Sequence, residues 1–136
     1  MSELTWRDVW RALLPHYSDP GLAALLRALE TDNPALCAQA TTLSDDLDPR
    51  CTGACPGAYA LWQGGIEKAE VVERAFGRLA DRINQEFGSR AGRRVAIQVF
   101  IDWFDDQTIP REKKLRLLLP DVRREIRRRE RMPAHV

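Results

Sequence analysis

Residues 95–104, VAIQVFIDWF, are the most apolar stretch of the chain, and the rest of the fold has to cover them. Polar residues recur at every fourth position in and around this stretch: Arg94, Gln98, Asp102 and Asp106. That spacing predicts a helix with one narrow polar stripe. The alternating β-branched residues also suit a half-buried strand, but no other segment offers a partner strand. We therefore predict a central hydrophobic helix over residues 92–105.

Signals elsewhere predict an all-α fold, a compact bundle of about six helices around this central helix. Thr5 and Asp8 have the spacing of a capping box at the start of a first helix. The sequence Ser18-Asp19-Pro20 combines an N-cap with a proline in the first turn and starts a second helix. The same pattern at Asp32-Asn33-Pro34 predicts a third, short helix that reaches Leu43. Between Ser44 and Pro56 the periodicity stops, and turn-favouring residues predict a loop.

The second half of the chain is predicted to be helical as well. A long amphipathic helix covers residues 66–87, and Gly77 inside it predicts a close contact between helices. Thr108-Ile109-Pro110 starts the basic C-terminal helices, within which Pro120 either kinks the helix or begins a new one. Residues 1–131 are thus predicted to form a single helical domain, and residues 132–136 a frayed tail.

Composition narrows the class of protein and its location. The chain has 136 residues, of which 44% are hydrophobic and 30% charged, as in a globular domain outside the membrane. Its apolar runs are too short to span a bilayer, and no signal peptide is visible at the N-terminus. Three cysteines, an odd number, fit a reducing compartment better than a disulfide scaffold. We therefore expect a cytoplasmic protein.

The net charge of +1 conceals an asymmetry along the chain. Residues 1–106, the acidic body, carry 11 basic and 16 acidic side chains, whereas residues 107–136 carry 10 basic and 4 acidic ones. Such a distribution favours docking of the basic segment either on its own body or on an acidic partner. The sequence leaves these two alternatives open.

Three cysteines offer the clearest chemical candidate site. Cys51 and Cys55 form a C-x3-C pair, and Cys37 lies fourteen residues before Cys51. Zinc usually takes four Cys or His ligands, whereas an iron–sulfur cluster can be held by three thiolates with one open iron. No fourth ligand is obvious. The alternatives are a reversible Cys51–Cys55 disulfide and inert, packed thiols.

Acidic residues offer little for catalysis. Asp45, Asp46 and Asp48 lack the glycine and glutamate offsets of a calcium-binding EF-hand, which favours a solvated acidic loop. Asp102, Asp105 and Asp106 are predicted to pair with Arg94 or with the basic segment rather than to act as an acid–base pair. The chain has no nucleophile elbow, glycine-rich phosphate loop or zinc-protease motif, and no credible Cys-His pair. We therefore predict that the protein is not an enzyme.

Aromatic and arginine side chains are the candidates for partner binding, because Trp, Tyr and Arg are enriched at interface hot spots. We predict a partner-binding surface formed by Tyr59, Trp62, Arg123, Arg124, Arg127 and Arg128. The sequence thus favours a helical adaptor or accessory protein that docks on a larger protein. The second hypothesis is a metal-binding or iron–sulfur accessory protein. The third is nucleic-acid binding through the Arg-rich C-terminal helix, with Arg131 on the same face.

Overall fold

The computed structural model describes residues 3–88 and 95–132, which contain six α-helices and one two-stranded antiparallel sheet. The elements in chain order are α1 (Trp6–Leu13), α2 (Asp19–Glu30), β1 (Thr42–Asp45), β2 (Asp48–Ala54), α3 (Pro56–Gln63), α4 (Ala69–Phe87), α5 (Ala96–Asp105) and α6 (Arg111–Glu130). A short 3₁₀ turn follows α1. Helices dominate the fold, but the predicted all-α class is wrong because of the sheet.

The central apolar stretch is a helix, which confirms the helical interpretation over the strand. Helix α5 buries five apolar side chains: Ala96, Ile97, Val99, Phe100 and Phe104. It packs against α1 on one side and α4 on another. The ring of Trp10 on α1 stacks on Phe100 with 5.1 Å between ring centroids. Residues 92–94, where the helix was predicted to begin, lie outside the described residues.

Two predicted helix starts are confirmed by their caps. The Thr5 hydroxyl accepts the backbone N–H of Asp8, and the Asp8 carboxylate accepts the Thr5 N–H, which completes the capping box. The Ser18 hydroxyl accepts the N–H of Gly21 at the start of α2. These caps use partners three residues apart, so they can be recognised from local sequence alone.

The helix predicted from Pro34 to Leu43 is not formed. The Asn33 side chain accepts the N–H of Ala35, and the Ala35 carbonyl then accepts the N–H of Ala54 on β2. The N–H of Cys37 donates to the Ala54 carbonyl, so this segment runs beside β2 as an isolated bridge. The asparagine therefore serves a turn rather than a helix cap, and a distant strand supplies the backbone partners.

The loop predicted between Ser44 and Pro56 is also wrong, since β1 and β2 form a hairpin there. The hairpin pairs Thr42 with Ala54 and Leu43 with Gly53, and its register is irregular near Asp45. On its other side, β2 bonds to the segment before α4, where the N–H of Cys51 donates to the Glu67 carbonyl. This pairing keeps residues 66–68 extended, so α4 begins at Ala69 instead of Ile66.

Helix α6 runs as one helix through Pro120, so no new helix begins there. Proline removes one backbone donor, which orphans the carbonyl four residues earlier at Arg116. Arg116 and Pro120 are both exposed, so water can bond to that carbonyl. The opposite face of α6 is held by packing against α2, with Leu118 and Val122 fully buried.

Gly77 does not mark a close helix contact, contrary to the sequence-based prediction. No heavy atom of a described residue lies within 4 Å of a Cβ built at this position, apart from the local backbone of α4. The close contact is made by Gly21 at the start of α2, where a Cβ would lie 2.3 Å from the carbonyl oxygen of Ala60. Glycine is therefore required at Gly21, where α2 meets α3, and not at Gly77.

Replacing Gly77 with alanine should raise the free energy of unfolding by about 0.5–1 kcal/mol, because alanine restricts the unfolded chain and favours the helix. Urea denaturation followed by circular dichroism measures the change. The comparison variant Gly21→Ala should instead destabilise by about 1–3 kcal/mol through overpacking against Ala60. A destabilised Gly77→Ala variant would show that the outer face of α4 is packed after all.

Candidate functional site

The three cysteines are placed by separate elements around the base of the hairpin. Cys37 lies in the segment that bonds to the end of β2, Cys51 is on β2, and Cys55 is the residue before α3. All three are free thiols. The Cys51 thiol donates to the Gly53 carbonyl at 3.2 Å, and the Cys37 thiol donates to the Ala40 carbonyl at 3.7 Å. Two of the thiols thus hold their protons in hydrogen bonds.

Burial raises the pKa of all three thiols, so they favour the protonated form at neutral pH. The effect is largest for Cys55, whose pKa rises to about 12. The structure groups no three Cys, His, Asp or Glu side chains as metal ligands within residues 3–88 and 95–132. Metal binding through Cys37, Cys51 and Cys55 remains a hypothesis, and it would require these thiols to lose their protons.

One cavity of about 190 Å³ adjoins the cysteine region. It is lined by Gln39, Ala40, Thr41, Cys55, Phe100, Ile101, Phe104 and Asp105. Its polar groups are already engaged, because the Asp105 carboxylate accepts the backbone N–H of Gln39 at 2.8 Å. The volume is below the roughly 300–1,000 Å³ of most small-molecule sites. This cavity is therefore a weak candidate for ligand binding.

The acidic residues near the end of α5 accept hydrogen bonds from backbone N–H groups. The Asp106 carboxylate accepts the N–H and hydroxyl of Thr108, which lowers its pKa. Asp105 holds Gln39, whose backbone lies in the left-handed region with φ of 68°. Arg94, one of the two predicted partners of these carboxylates, lies outside the described residues. The basic segment does reach this end of α5, but Lys114 donates to backbone carbonyls of Phe104 and Asp106 and not to carboxylates.

The predicted aromatic residues are less accessible than the sequence suggests. Tyr59 is only 5% exposed, and its ring meets the half-buried Trp62 edge-on. Trp6 and Trp103 form a second aromatic pair, stacked at 3.8 Å between centroids, with the Arg7 guanidinium over Trp6. This second pair joins α1 to α5, and long-range contacts of this kind leave no signature in local sequence.

The basic segment docks on its own acidic body, which is the first of the two alternatives that the sequence left open. Each of these ion pairs joins α6 to α2 or to the turn after it: Arg111 with Asp32, Arg123 with Glu30, and Arg129 with Asp19. Arg129 also donates to the carbonyls of Leu14 and Pro15. An outside ligand would have to compete with these internal partners for the same basic residues.

Glu125 pairs with one more arginine, Arg128, and is a second partner of Arg129. Its carboxylate accepts hydrogen bonds from Arg128 and Arg129 at 2.6 and 2.8 Å. Burial opposes ionisation of Glu125, but these two guanidinium groups lower its pKa overall. Of the arginines predicted to bind a partner, Arg123 and Arg128 are thus engaged internally, while Arg124 and Arg127 remain.

Besides the buried Lys114, five cations of α6 and its C-cap make no ion pair with any carboxylate in the described part of the chain. These residues, which we call the basic stripe, are Lys113, Arg116, Arg124, Arg127 and Arg131. All five are exposed, and their spacing places them on one face of the helix. Sequence reasoning missed Lys113 and Arg116 because it allowed a break at Pro120. The spacing of basic residues across that proline is the signal that would have found them.

The hairpin exposes two large apolar side chains. Leu47, at its tip, is 100% exposed, and Leu43 on β1 is 48% exposed. Asp45 and Asp46 lie between them in the sequence. Strand β1 pairs with β2 on one side, and the described residues place no strand on its other side. Sequence reasoning missed this surface because it predicted a helix and a loop here.

Comparisons with known proteins find no match to this chain among family models, curated proteins or solved structures. Within the described ranges, no helix combines the length and apolar character that a bilayer span requires.

Proposed function

We propose that this protein is a non-enzymatic adaptor that docks on a larger protein partner through the β1–β2 hairpin. The observation that carries the proposal is the complete exposure of Leu47, together with half-exposed Leu43 on the same hairpin. Burying a leucine side chain is worth about 1.5–3 kcal/mol, so two exposed leucines on a projecting element offer substantial binding energy. Isolated exposed leucines are common, but the edge of β1 that pairs with no strand in the described part of the chain gives these two a structural context.

A free strand edge binds extended peptides by adding a strand to the sheet. The outer backbone groups of β1 would supply the hydrogen bonds, and Leu43 would supply an apolar contact beside them. The partner segment should therefore be extended, with apolar side chains at alternate positions.

The acidic side chains of the hairpin narrow the class of partner protein further. Asp45 and Asp46 form no ion pair within the described residues, whereas Asp48 is paired with Arg50 at 2.7 Å. Two copies of this chain docked edge to edge would bring these carboxylates together, and like charges repel. The proposed partner is therefore a different protein whose docking segment carries Lys or Arg. The three free thiols fit a reducing compartment, and we place this interaction in the cytoplasm.

The proposal is tested by affinity capture from native extract, with the wild-type chain compared with the double variant Leu43→Ser/Leu47→Ser. The matched control is Met132→Ser, which removes a 44% exposed apolar side chain far from the hairpin in sequence. We expect one protein to be enriched by the wild type and by the control, and lost at least about tenfold with the hairpin variant.

The captured protein is then purified and its binding to the wild-type chain is measured by calorimetry. Circular dichroism checks that the hairpin variant is folded, as expected when exposed side chains are replaced. Equal enrichment by the wild type and a folded hairpin variant would reject the hairpin as the docking surface. The absence of any enriched protein, with turnover detected in activity screens, would reject the adaptor function.

A further inference from the structure

The basic stripe is a second surface, separate from the hairpin. Lys113 and Arg131 are eighteen residues apart, so the stripe extends about 27 Å along the helix axis. Pro120 lies in the same face and interrupts it with an uncharged residue. Glu112 and Glu130, the acids of this helix that form no ion pair within the described residues, lie about a quarter turn around the axis from the middle of the stripe. Glu112 also lines a surface depression with Arg116, so negative charge borders the stripe on that side.

Ion pairing within the fold neutralises acidic side chains near this face. The carboxylates of Asp19, Glu30 and Asp32 flank α6, and each is paired with an arginine of this helix. Asp121 is likewise held by Arg7 and Arg11 of α1. These ion pairs neutralise part of the negative charge around the stripe, which weakens the repulsion of an approaching anion.

A long row of cations fits a ligand with regularly repeated negative charge. Duplex DNA carries one negative charge about every 1.7 Å along its axis, so it offers phosphates along the whole length of the stripe. Salt screens charges more than about 8 Å away at physiological ionic strength, so acidic side chains beyond that distance repel DNA little.

The form of the nucleic acid follows from what the stripe lacks. Helix α6 contains no aromatic residue on which unpaired bases could stack, which argues against a single strand. The major groove of B-DNA, about 12 Å wide, admits an α-helix, whereas the deep major groove of duplex RNA does not. We propose that the basic stripe binds the phosphate backbone of duplex DNA without sequence preference. Combined with hairpin docking, this activity would link a partner protein to DNA.

The test measures fluorescence anisotropy of a labelled 20-base-pair DNA duplex titrated with the full chain at several salt concentrations. With about 0.9 counterions released per phosphate, five contacts predict that the binding constant falls with about the 4.5th power of salt concentration. The variant Arg124→Ala/Arg127→Ala/Arg131→Ala should reduce that exponent to about 1.8 and weaken binding about 100-fold or more at 0.1 M salt.

The matched control is Arg74→Ala/Arg78→Ala/Arg82→Ala, which removes the same charge from exposed positions on α4. This variant and the hairpin variant should bind DNA as the wild type does, and circular dichroism should show both to be folded. Loss of binding in the α4 control equal to that in the stripe variant would overturn the proposal, as would no binding by the wild type. Equal affinity for polyglutamate, single-stranded DNA or duplex RNA would overturn the assignment to duplex DNA. Failure of the DNA test leaves hairpin docking to be judged by its own variant.

Discussion

Replacing Trp10 with alanine should lower the free energy of unfolding by about 3–5 kcal/mol, the largest effect expected of any substitution considered. The indole is fully buried, stacks on Phe100 of α5, and donates its Nε1–H to the Leu118 carbonyl of α6 at 3.1 Å. A single side chain on α1 thus joins two other helices. Its removal leaves a large cavity and takes from the Leu118 carbonyl of α6 the donor that the indole supplied.

Two further variants separate the contributions of Trp10. Trp10→Phe retains most of the ring contact with Phe100 but loses the hydrogen bond to Leu118, so it should cost about 1–2 kcal/mol. Trp6→Ala removes a partly exposed tryptophan from the same helix and should cost less than Trp10→Ala. Urea denaturation followed by far-ultraviolet circular dichroism is suitable, since it does not depend on tryptophan fluorescence. A loss below about 1.5 kcal/mol for Trp10→Ala would contradict its central position in the core.

Replacing Lys114 with methionine should destabilise the protein by about 2–3 kcal/mol, although lysines are usually exposed. Lys114 is 6% exposed, and its ammonium group donates to the backbone carbonyls of Phe104 and Asp106. These groups lie at the C-terminal end of α5, where the helix dipole favours a cation. The ammonium also lies 5.3 Å from the centre of the Phe104 ring.

Methionine retains the apolar stem of Lys114 but removes the ammonium donor from the Phe104 carbonyl and leaves the Asp106 carbonyl with only the N–H of Ile109. The neighbouring variant Lys113→Met is the control, because Lys113 is exposed and should change stability by less than about 0.5 kcal/mol. Chemical denaturation of both variants measures the difference. Equal stabilities would mean that water replaces the ammonium without cost at the end of α5.

Lys113 and Lys114 also show how adjacent residues of one type take different roles. Both appear as part of a basic run in the sequence. Lys114 turns inward and donates to the end of α5, whereas Lys113 belongs to the basic stripe. The arginines divide in the same way, since Arg123 and Arg128 are paired while Arg124 and Arg127 are free of internal partners in the described part of the chain.

The predicted binding sites are altered in the same way, because burial and internal partners differ between residues that look alike in the sequence. Sequence reasoning identified Cys37, Cys51 and Cys55 as a candidate site and Tyr59 and Trp62 as candidate contacts. In the structure, the Cys37 and Cys51 thiols donate to backbone carbonyls, and burial raises the pKa of all three thiols. Tyr59 lies inside the fold. Residue type and spacing indicate which chemistry is available, whereas exposure and partners depend on segments that are distant in sequence.

The sequence by itself determined the helices whose signals are local. The capping box at Thr5, the cap at Ser18 and the apolar periodicity of residues 95–104 act within a few residues, so they could be recognised without a structure. Only the tertiary structure decided the hairpin, because β2 bonds to β1 and to segments around Ala35 and Glu67. Only the tertiary structure selected the five cations of the stripe. The other cations of α6 form ion pairs with α2, with the turn after it or within α6, and Lys114 is buried. Backbone pairing and charge neutralisation between distant segments are non-local, and they decide which surfaces remain available for binding.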